Sequence, residues 1–374
     1  MLSKHEQISR RKLLSRAAGL AGAGTLGFAA SSALFSPATV RAAKPKSRIK
    51  VGQIGTAHAH ARGKAETVRK LNEYYELIGV VEPDPERRND AKEESAYRGV
   101  NWISEEKLLA TRDLKAVLVE TTEAELVPTA MRCIKAGLHV HVDKPPGWSL
   151  TAFKKLLDEA QSRRLTVQMG YMFRYNPAFK FCFDAIRKGW LGRVFEVHGV
   201  ISKTISDKRR KNEVRFPGGS MFILGCHLID ALLAAMGTPD KVTPYVRRTR
   251  TPADTLADNM LAVFEYPVAT ATIRSAFVEV DGSKRRQFVV CGDEGTVDIR
   301  PLEPPKLQLA LSRARDGFDK GYQQVDLPAM PGRYDEQLID FAAVVRGEKQ
   351  PEYLPDHDFA VHKAVLQACD LELK

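Results

Sequence analysis

Beyond residue 47, short apolar runs alternate with stretches whose apolar positions recur every three or four residues. Ile49 to Ile54 reads as a first strand, broken at Gly55 and followed by a helix through about Leu71. Leu77 to Val81 predicts a second strand, stopped by Glu82-Pro83-Asp84-Pro85. Trp102-Ile103 predicts a short third and Ala116 to Val119 a fourth. Leu138 to Val142 and Thr166 to Met169 predict two more, separated by helices over Leu126–Ala136 and Leu150–Ser162. Apolar strands alternating with helices predict a parallel sheet covered on both faces. After about Gly170 the pattern changes. Helices over Pro177–Gly189 and Ser220–Met236 are interspersed with strand-like runs at 194–201, 241–248, 256–266, 269–280 and 286–291. The turns Tyr266-Pro267, Asp281-Gly282 and Gly292-Asp293-Glu294-Gly295 are hairpin signals, so this half is expected to be α+β with an antiparallel sheet. Helices over 335–346 and 358–371 close the chain.

The first 43 residues have a different character. Ser9-Arg10-Arg11-Lys12-Leu13-Leu14 precedes a weakly apolar run, Ala17 to Phe35, and Val40-Arg41-Ala42-Ala43 offers small residues for cleavage. A basic start, an apolar middle and a small-residue end predict a removable export signal rather than a membrane span, and the paired arginines resemble a twin-arginine leader. The expected location is therefore periplasmic or otherwise extracytoplasmic, with no stable membrane insertion after cleavage. Charge is affected too. The whole chain is formally +11. Six basic residues against Glu6 give +5 within residues 1–42, which leaves +6 for the remainder. The dense run Lys208-Arg209-Arg210-Lys211 reads as a solvated loop or an anion-binding rim. It lacks a nucleic-acid motif or interleaved aromatics, so no nucleic-acid partner is expected. Five cysteines without a CxxC pair predict buried thiols rather than a disulfide framework or structural zinc.

Candidate chemistry begins at the first turn. A dinucleotide-binding Rossmann turn wants Gly-x-Gly-x-x-Gly; here the residues are Gly55-Thr56-Ala57-His58-Ala59-His60, and only the first glycine is kept. Glu82, ending the second strand, is placed to accept hydrogen bonds from ribose hydroxyls and favours NAD over NADP, while Arg87 and Arg88 keep NADP open. Glu82 also reads as a strand-end surface acid. His58 and His60 read as cofactor or substrate ligands, or as local capping. With no acid or thiol close by in sequence, no metal is expected. Lys144 follows a buried parallel strand, where α/β sheets bind ligands, and its ammonium can donate to a hydroxyl or developing alkoxide.

Gly137-Leu138-His139-Val140-His141-Val142-Asp143-Lys144-Pro145-Pro146 resembles the Glu-Lys-Pro segment of the glucose–fructose oxidoreductase, inositol dehydrogenase and rhizopine-catabolism (Gfo/Idh/MocA) family. The resemblance extends through Glu82–Arg87, Gly170–Pro177, Gly292–Thr296 and the segment Gly218–Asp230. It implies a Rossmann domain over 47–169 and an α+β domain over 170–374 with a large, mostly antiparallel, open-faced sheet for substrate binding and oligomerisation. It implies an NAD or NADP cofactor held by Gly55, Thr56, Ala57, His58, Glu82, Thr121, Lys144 and Pro145. Lys144 and His227 are implied as catalytic groups, with Tyr171, Arg174 and Asp230 at the substrate. A homodimer or homotetramer and a carbohydrate or polyol substrate are implied as well.

Two positions depart from the family pattern. Relatives commonly carry Asp four residues before the histidine, on the same helical face; here it is Ile223. Leu126 stands near where many relatives have a histidine. Asp230 could instead orient His227, or serve as an internal structural bond. The function expected is hydride transfer between nicotinamide and a sugar or polyol hydroxyl. The alternatives are glycoside cleavage through transient oxidation, and a non-catalytic sugar- or dinucleotide-binding relative.

Overall fold

The computed structural model describes residues 47–374, apart from Arg215. The proposed leader lies outside the described residues. The first sheet is built from β1 (Ile49–Ile54), β2 (Tyr75–Val81), β3 (Leu114–Val119), β4 (His139–Val142) and β5 (Val167–Met169), all parallel, in the order β2-β1-β3-β4-β5. The intervening helices are α1 (Ala61–Lys70), α2 (Pro85–Glu93), α3 (Glu105–Leu109), α4 (Glu123–Lys135) and α5 (Leu150–Ser162). Strand order reverses at β1, because the chain crosses first to β2 and then back to β3. Ligands of such sheets sit beyond the carboxyl ends of the strands flanking that point. The expected short strand at Trp102-Ile103 forms only a single parallel bridge to Val80. It is too brief to extend the sheet.

Local chemistry explains several boundaries. Asp84 accepts hydrogen bonds from the backbone N–H groups of Glu86 and Arg87 and Pro85 occupies the first turn, so the strand exit at Glu82 doubles as the cap of α2. Ser149 and Asn176 cap the helices they precede in the same way.

The second part contains α6 (Pro177–Arg187), β6 (Val194–Val200), α7 (Asp207–Glu213), a wide helical turn at Met221–Gly225 and α8 (Cys226–Met236). Strands β7 (Lys241–Arg247), β8 (Asn259–Tyr266), β9 (Ala269–Ala276), β10 (Gln287–Gly292), β11 (Gly295–Leu302), β12 (Pro305–Leu311) and β13 (Gly321–Val325) follow. Together with β6 they form an eight-stranded sheet, antiparallel except between β6 and β9. Alternate residues of β8 to β12 are buried on the face packed by α6 and α8, while the opposite residues are partly exposed. This is the open-faced sheet the resemblance implies. The basic run 208–211 is helical rather than a loop, and Arg210 is buried against Asp254 and Asp258.

Of the last two helices, α9 (Asp335–Val345) returns to α1 and β2 of the first part, while α10 (Pro355–Ala368) packs on α5 and on α8 and β7. Tyr75 donates its hydroxyl hydrogen to the Leu338 carbonyl, and the Lys374 carbonyl accepts from the Thr151 N–H at 2.9 Å. The five cysteines are free thiols, four of them buried. No helix among the described residues is long and apolar enough to cross a membrane.

Two core histidines make stability depend on pH. Burial pushes His141 down to about 3, with Lys64 adding to the effect, and burial alone pushes His362 down to about 3. The unfolded chain takes up protons below about pH 6.5 that these folded rings refuse, so stability is full above that pH and falls as pH drops toward 3. His362 lies edge-on to Phe153, and neither of its nitrogens has a hydrogen-bond partner. His362→Leu is therefore expected to lose about 2 kcal/mol less stability than the parent between pH 7 and pH 5. Urea unfolding at the two pH values measures this, and equal acid sensitivity in both proteins would rule His362 out as a source.

Candidate active site

The site begins where β1 ends. Gly55 has φ +92°, and a Cβ there would lie 2.7 Å from the backbone of Glu120 and Thr121. Only glycine fits between the two loops. Thr56, next along, donates both its backbone N–H and its hydroxyl to Glu82 Oε2, each at 2.8 Å. Glu82 Oε1 accepts from the Asp84 N–H and lies 3.3 Å from Arg87 Nη2. Glu82 is thus buried at the strand end and fixes the turn. The turn is longer than a tight glycine-rich one, since α1 begins only at Ala61, and the His58 N–H donates to the Glu120 carbonyl. Ala57 and Ala59 carry only methyl groups and are partly and fully exposed on this turn.

Beneath the turn lies a buried ionic cluster. Lys64 Nζ is 2.6 Å from Asp143 Oδ2 and 3.0 Å from Glu120 Oε1, and all three side chains are fully buried. Burial pushes both carboxyls up. At Asp143 the neighbouring His58, Lys64 and His60 outweigh that effect and hold it well below the carboxylate range, whereas Glu120 stays well above its own. His58 Nδ1 lies 3.1 Å from Asp143 Oδ2, and His60 Nδ1 lies 3.2 Å from Asp143 Oδ1. The sequence offers no acid beside the two histidines, but the fold brings Asp143 to them from the end of β4. Lys64 could have been suspected from spacing. It falls with Ala61, Ala65 and Val68 on the buried face of α1. Glu120 carried no such signal. Gly170 completes the cluster, since a Cβ there would meet Lys64 Nζ at 2.9 Å.

Lys144 follows Asp143, and its backbone N–H donates to Asp143 Oδ1 at 2.7 Å. Its side chain crosses to the second part, where Nζ donates to the Ile223 carbonyl at 3.0 Å. Ile223 belongs to the wide turn that delivers His227 at the start of α8. The two expected catalytic groups therefore converge. Burial, then the charges of Lys144 and His60, hold His227 well below its ordinary value, so the ring is neutral. Its Nδ1 is buried without a hydrogen-bond partner. The His227 ring lies 5.9 Å from that of His60 and 6.2 Å, edge-on, from that of Tyr171, whose hydroxyl is also buried and unpartnered.

Other expected site residues are placed differently. Arg174 donates to Asp230 at 3.0 and 3.1 Å and to Asp358 at 2.6 Å, and all three are buried. This ion cluster joins the segment after β5 to α8 and α10, so Arg174 and Asp230 are internal staples rather than groups facing a substrate. Asp230 is spent on Arg174 and His357, not on His227. Ile223 packs with Ile205, Leu256 and Phe277 in an apolar cluster, because the wide turn breaks the four-residue spacing that would align position 223 with His227. Leu126 is a core residue of α4. Thr121 flanks Gly55, and Pro145 follows a cis bond from Lys144.

These residues fit a dinucleotide. Gly55 gives a bare backbone approach, the turn 56–59 presents small side chains and Glu82 closes the ribose end. Comparison with known proteins agrees. The oxidoreductase family model with an NAD-binding Rossmann fold matches residues 49–171, and the GFO/IDH/MocA C-terminal domain model matches residues 180–298. The uncharacterized oxidoreductase YhhX of Escherichia coli is 30% identical over 56% of this chain, and the match spans 61% of its own length. D-xylose 1-dehydrogenase (NADP(+)) 2 of Haloferax volcanii is 27% identical over 71% of this chain and 81% of its own. The aldose-aldose oxidoreductase of Caulobacter crescentus, solved with glycerol, superimposes with a TM-score of 0.73 at 19% identity, covering 87% of this chain and 98% of that one. The two-sheet fold, the glycine-ended first strand and both matched domains lead to one assignment: the chain belongs to the GFO/IDH/MocA family of NAD(P)-binding Rossmann oxidoreductases.

Proposed function

We propose that the protein exchanges hydride between a nicotinamide dinucleotide and a sugar or polyol hydroxyl. The observation that carries this reading is the meeting of Lys144, from the end of β4, with the turn leading to His227. Two of the relatives named above are aldose-acting by name, which supports a carbohydrate substrate. When bound, the nicotinamide accepts or supplies hydride at its ring carbon C4.

The chain's own residues do the rest. Gly55, Thr56, Ala57, His58, Thr121 and Pro145 surround the path of the dinucleotide, and Glu82, although its oxygens are taken by Thr56, Asp84 and Arg87, keeps a carboxylate at the ribose end that disfavours a phosphate there, hence NAD over NADP. The Lys144 ammonium has further N–H donors beyond the one directed at Ile223, and one of them stabilises the substrate oxygen as charge develops. The neutral, unpartnered His227 Nδ1 receives the hydroxyl proton. Tyr171 offers its free hydroxyl beside that ring. Because Ile223 leaves the relay without its third group, glycoside cleavage through transient oxidation is the second reading. There, product forms while the nucleotide shows no net change in redox state.

Export through a twin-arginine leader and cleavage near Ala43 belong to the same proposal, supported by the sequence of residues 9–43. So does self-association through the open sheet, supported by exposed Phe195, Tyr245 and Tyr322 on its strands.

Lys144→Ala and His227→Ala are each expected to reduce turnover at least about a hundredfold while leaving dinucleotide affinity within a few-fold. Steady-state kinetics beside fluorescence titration of NADH separate the two effects, and full turnover in both variants would overturn the assigned roles. Mass spectrometry of nucleotide released from the purified protein is expected to find NAD; finding NADP alone would reverse the assignment to Glu82. Ile223→Asp is expected to cost about 1–3 kcal/mol, because it buries a carboxylate among Ile205, Leu256 and Phe277, and to leave the relay unrestored. A variant as stable as the parent and faster in turnover would show that position 223 faces the reaction after all.

A further inference from the structure

The turn after β1 carries a second chemistry. His58 Nε2 lies 3.2 Å from the Lys144 carbonyl, an acceptor, so that nitrogen bears the hydrogen of a neutral ring. The lone pair is then on Nδ1, which accepts from the His60 N–H at 3.2 Å and faces Asp143 Oδ2 at 3.1 Å. His60 Nδ1 is hydrogen-bonded to the other oxygen of the same carboxylate at 3.2 Å, so binding of an ion there would displace a proton. Three ligand atoms from His58, His60 and Asp143 lie within 4.8 Å of one another. The two short separations, 3.1 and 3.2 Å, run to different oxygens of the one carboxylate, and the set needs only a small inward shift to close on an ion with bonds of about 2.0–2.2 Å. A further carboxylate points the same way. Glu120 Oε2 is fully buried, has no hydrogen-bond partner among the described residues and lies 3.8 Å from His58 Nδ1. Among the described residues, Lys64 is the one ammonium set against both carboxylates.

We propose that His58, His60 and Asp143 bind one first-row divalent transition-metal ion, with the Glu120 carboxylate beside it as a fourth ligand. Two imidazoles select such an ion over magnesium or calcium, which prefer all-oxygen shells. His60 keeps an opening to solvent and its ring lies 5.9 Å from that of His227. The ion would therefore stand as a Lewis acid at the edge of the cleft, in a chain that has Ile223 where its relatives commonly carry an acid. The site shares His58 with the turn placed along the dinucleotide path, but its test reads metal binding rather than activity, so either proposal can fail without the other.

The mature protein, stripped with EDTA, is titrated with Co²⁺ and followed by visible absorption, with Zn²⁺ as competitor. The expected result is one equivalent of Co²⁺ per chain, with d–d bands that Zn²⁺ abolishes. His60→Gln, at the partly open ligand, is expected to weaken binding by more than about 100-fold, whereas His198→Gln on the far strand β6 leaves it unchanged. Should His60→Gln lose its fold, as judged by circular dichroism in EDTA, Glu120→Gln serves instead and is expected to weaken binding about tenfold or more. Absence of a stoichiometric ion, or equal affinity in the folded variant and the parent, overturns the proposal.

Discussion

The contact between Lys64 and the carboxylates of Asp143 and Glu120 is the constraint around which the first domain is organised. Moving such charges out of water costs several kcal/mol per ion, and only close pairing offsets it. Removing one partner from a buried group of this kind costs about 3–5 kcal/mol. Here α1 supplies the ammonium while the ends of β3 and β4 supply the carboxyl groups. The three elements are thereby fixed at the edge of the sheet where a dinucleotide lies. Gly170, with no room for a side chain over Lys64, sets the point at which the chain can leave that edge for the second part.

From this anchor the reactive groups inherit their positions. Asp143 holds the backbone of Lys144, Lys144 reaches the turn before α8, and that turn presents His227. The buried Arg174–Asp230–Asp358 group steadies the same helix from its other neighbours. The ammonium, after β4, and the imidazole, on α8, thus come from different parts of the chain but share one fixed frame, which is what proton transfer within a narrow cleft requires.

Local signals made much of this legible beforehand. The strands of the first sheet read clearly because parallel strands are continuously apolar, and Lys144 stood out as a charge at the end of one. His227 was legible through the motif around it. The pairings that depend on distant segments were not. Asp230 meets Arg174 56 residues away and Asp358 comes from α10, so its service to that arginine could not be read from its helix alone. The turn Met221–Gly225 is apolar throughout, and nothing in its periodicity separated a wide helical turn from an ordinary one. Strands β11 and β12 were hidden by Pro301, Pro304 and Pro305, which interrupt the alternation that marks a hairpin.

The return of α9 and of the C-terminal residue to the first part bears on how the cleft can move. Tyr75 grips the backbone at Leu338, and the carbonyl of the last residue is fastened at the start of α5. The two halves are consequently joined at two ends rather than at a single crossover. A swing about Gly170 alone would tear both fastenings, so any narrowing around a guest molecule has to bend the stretch between β13 and α9 together with the one at Gly170.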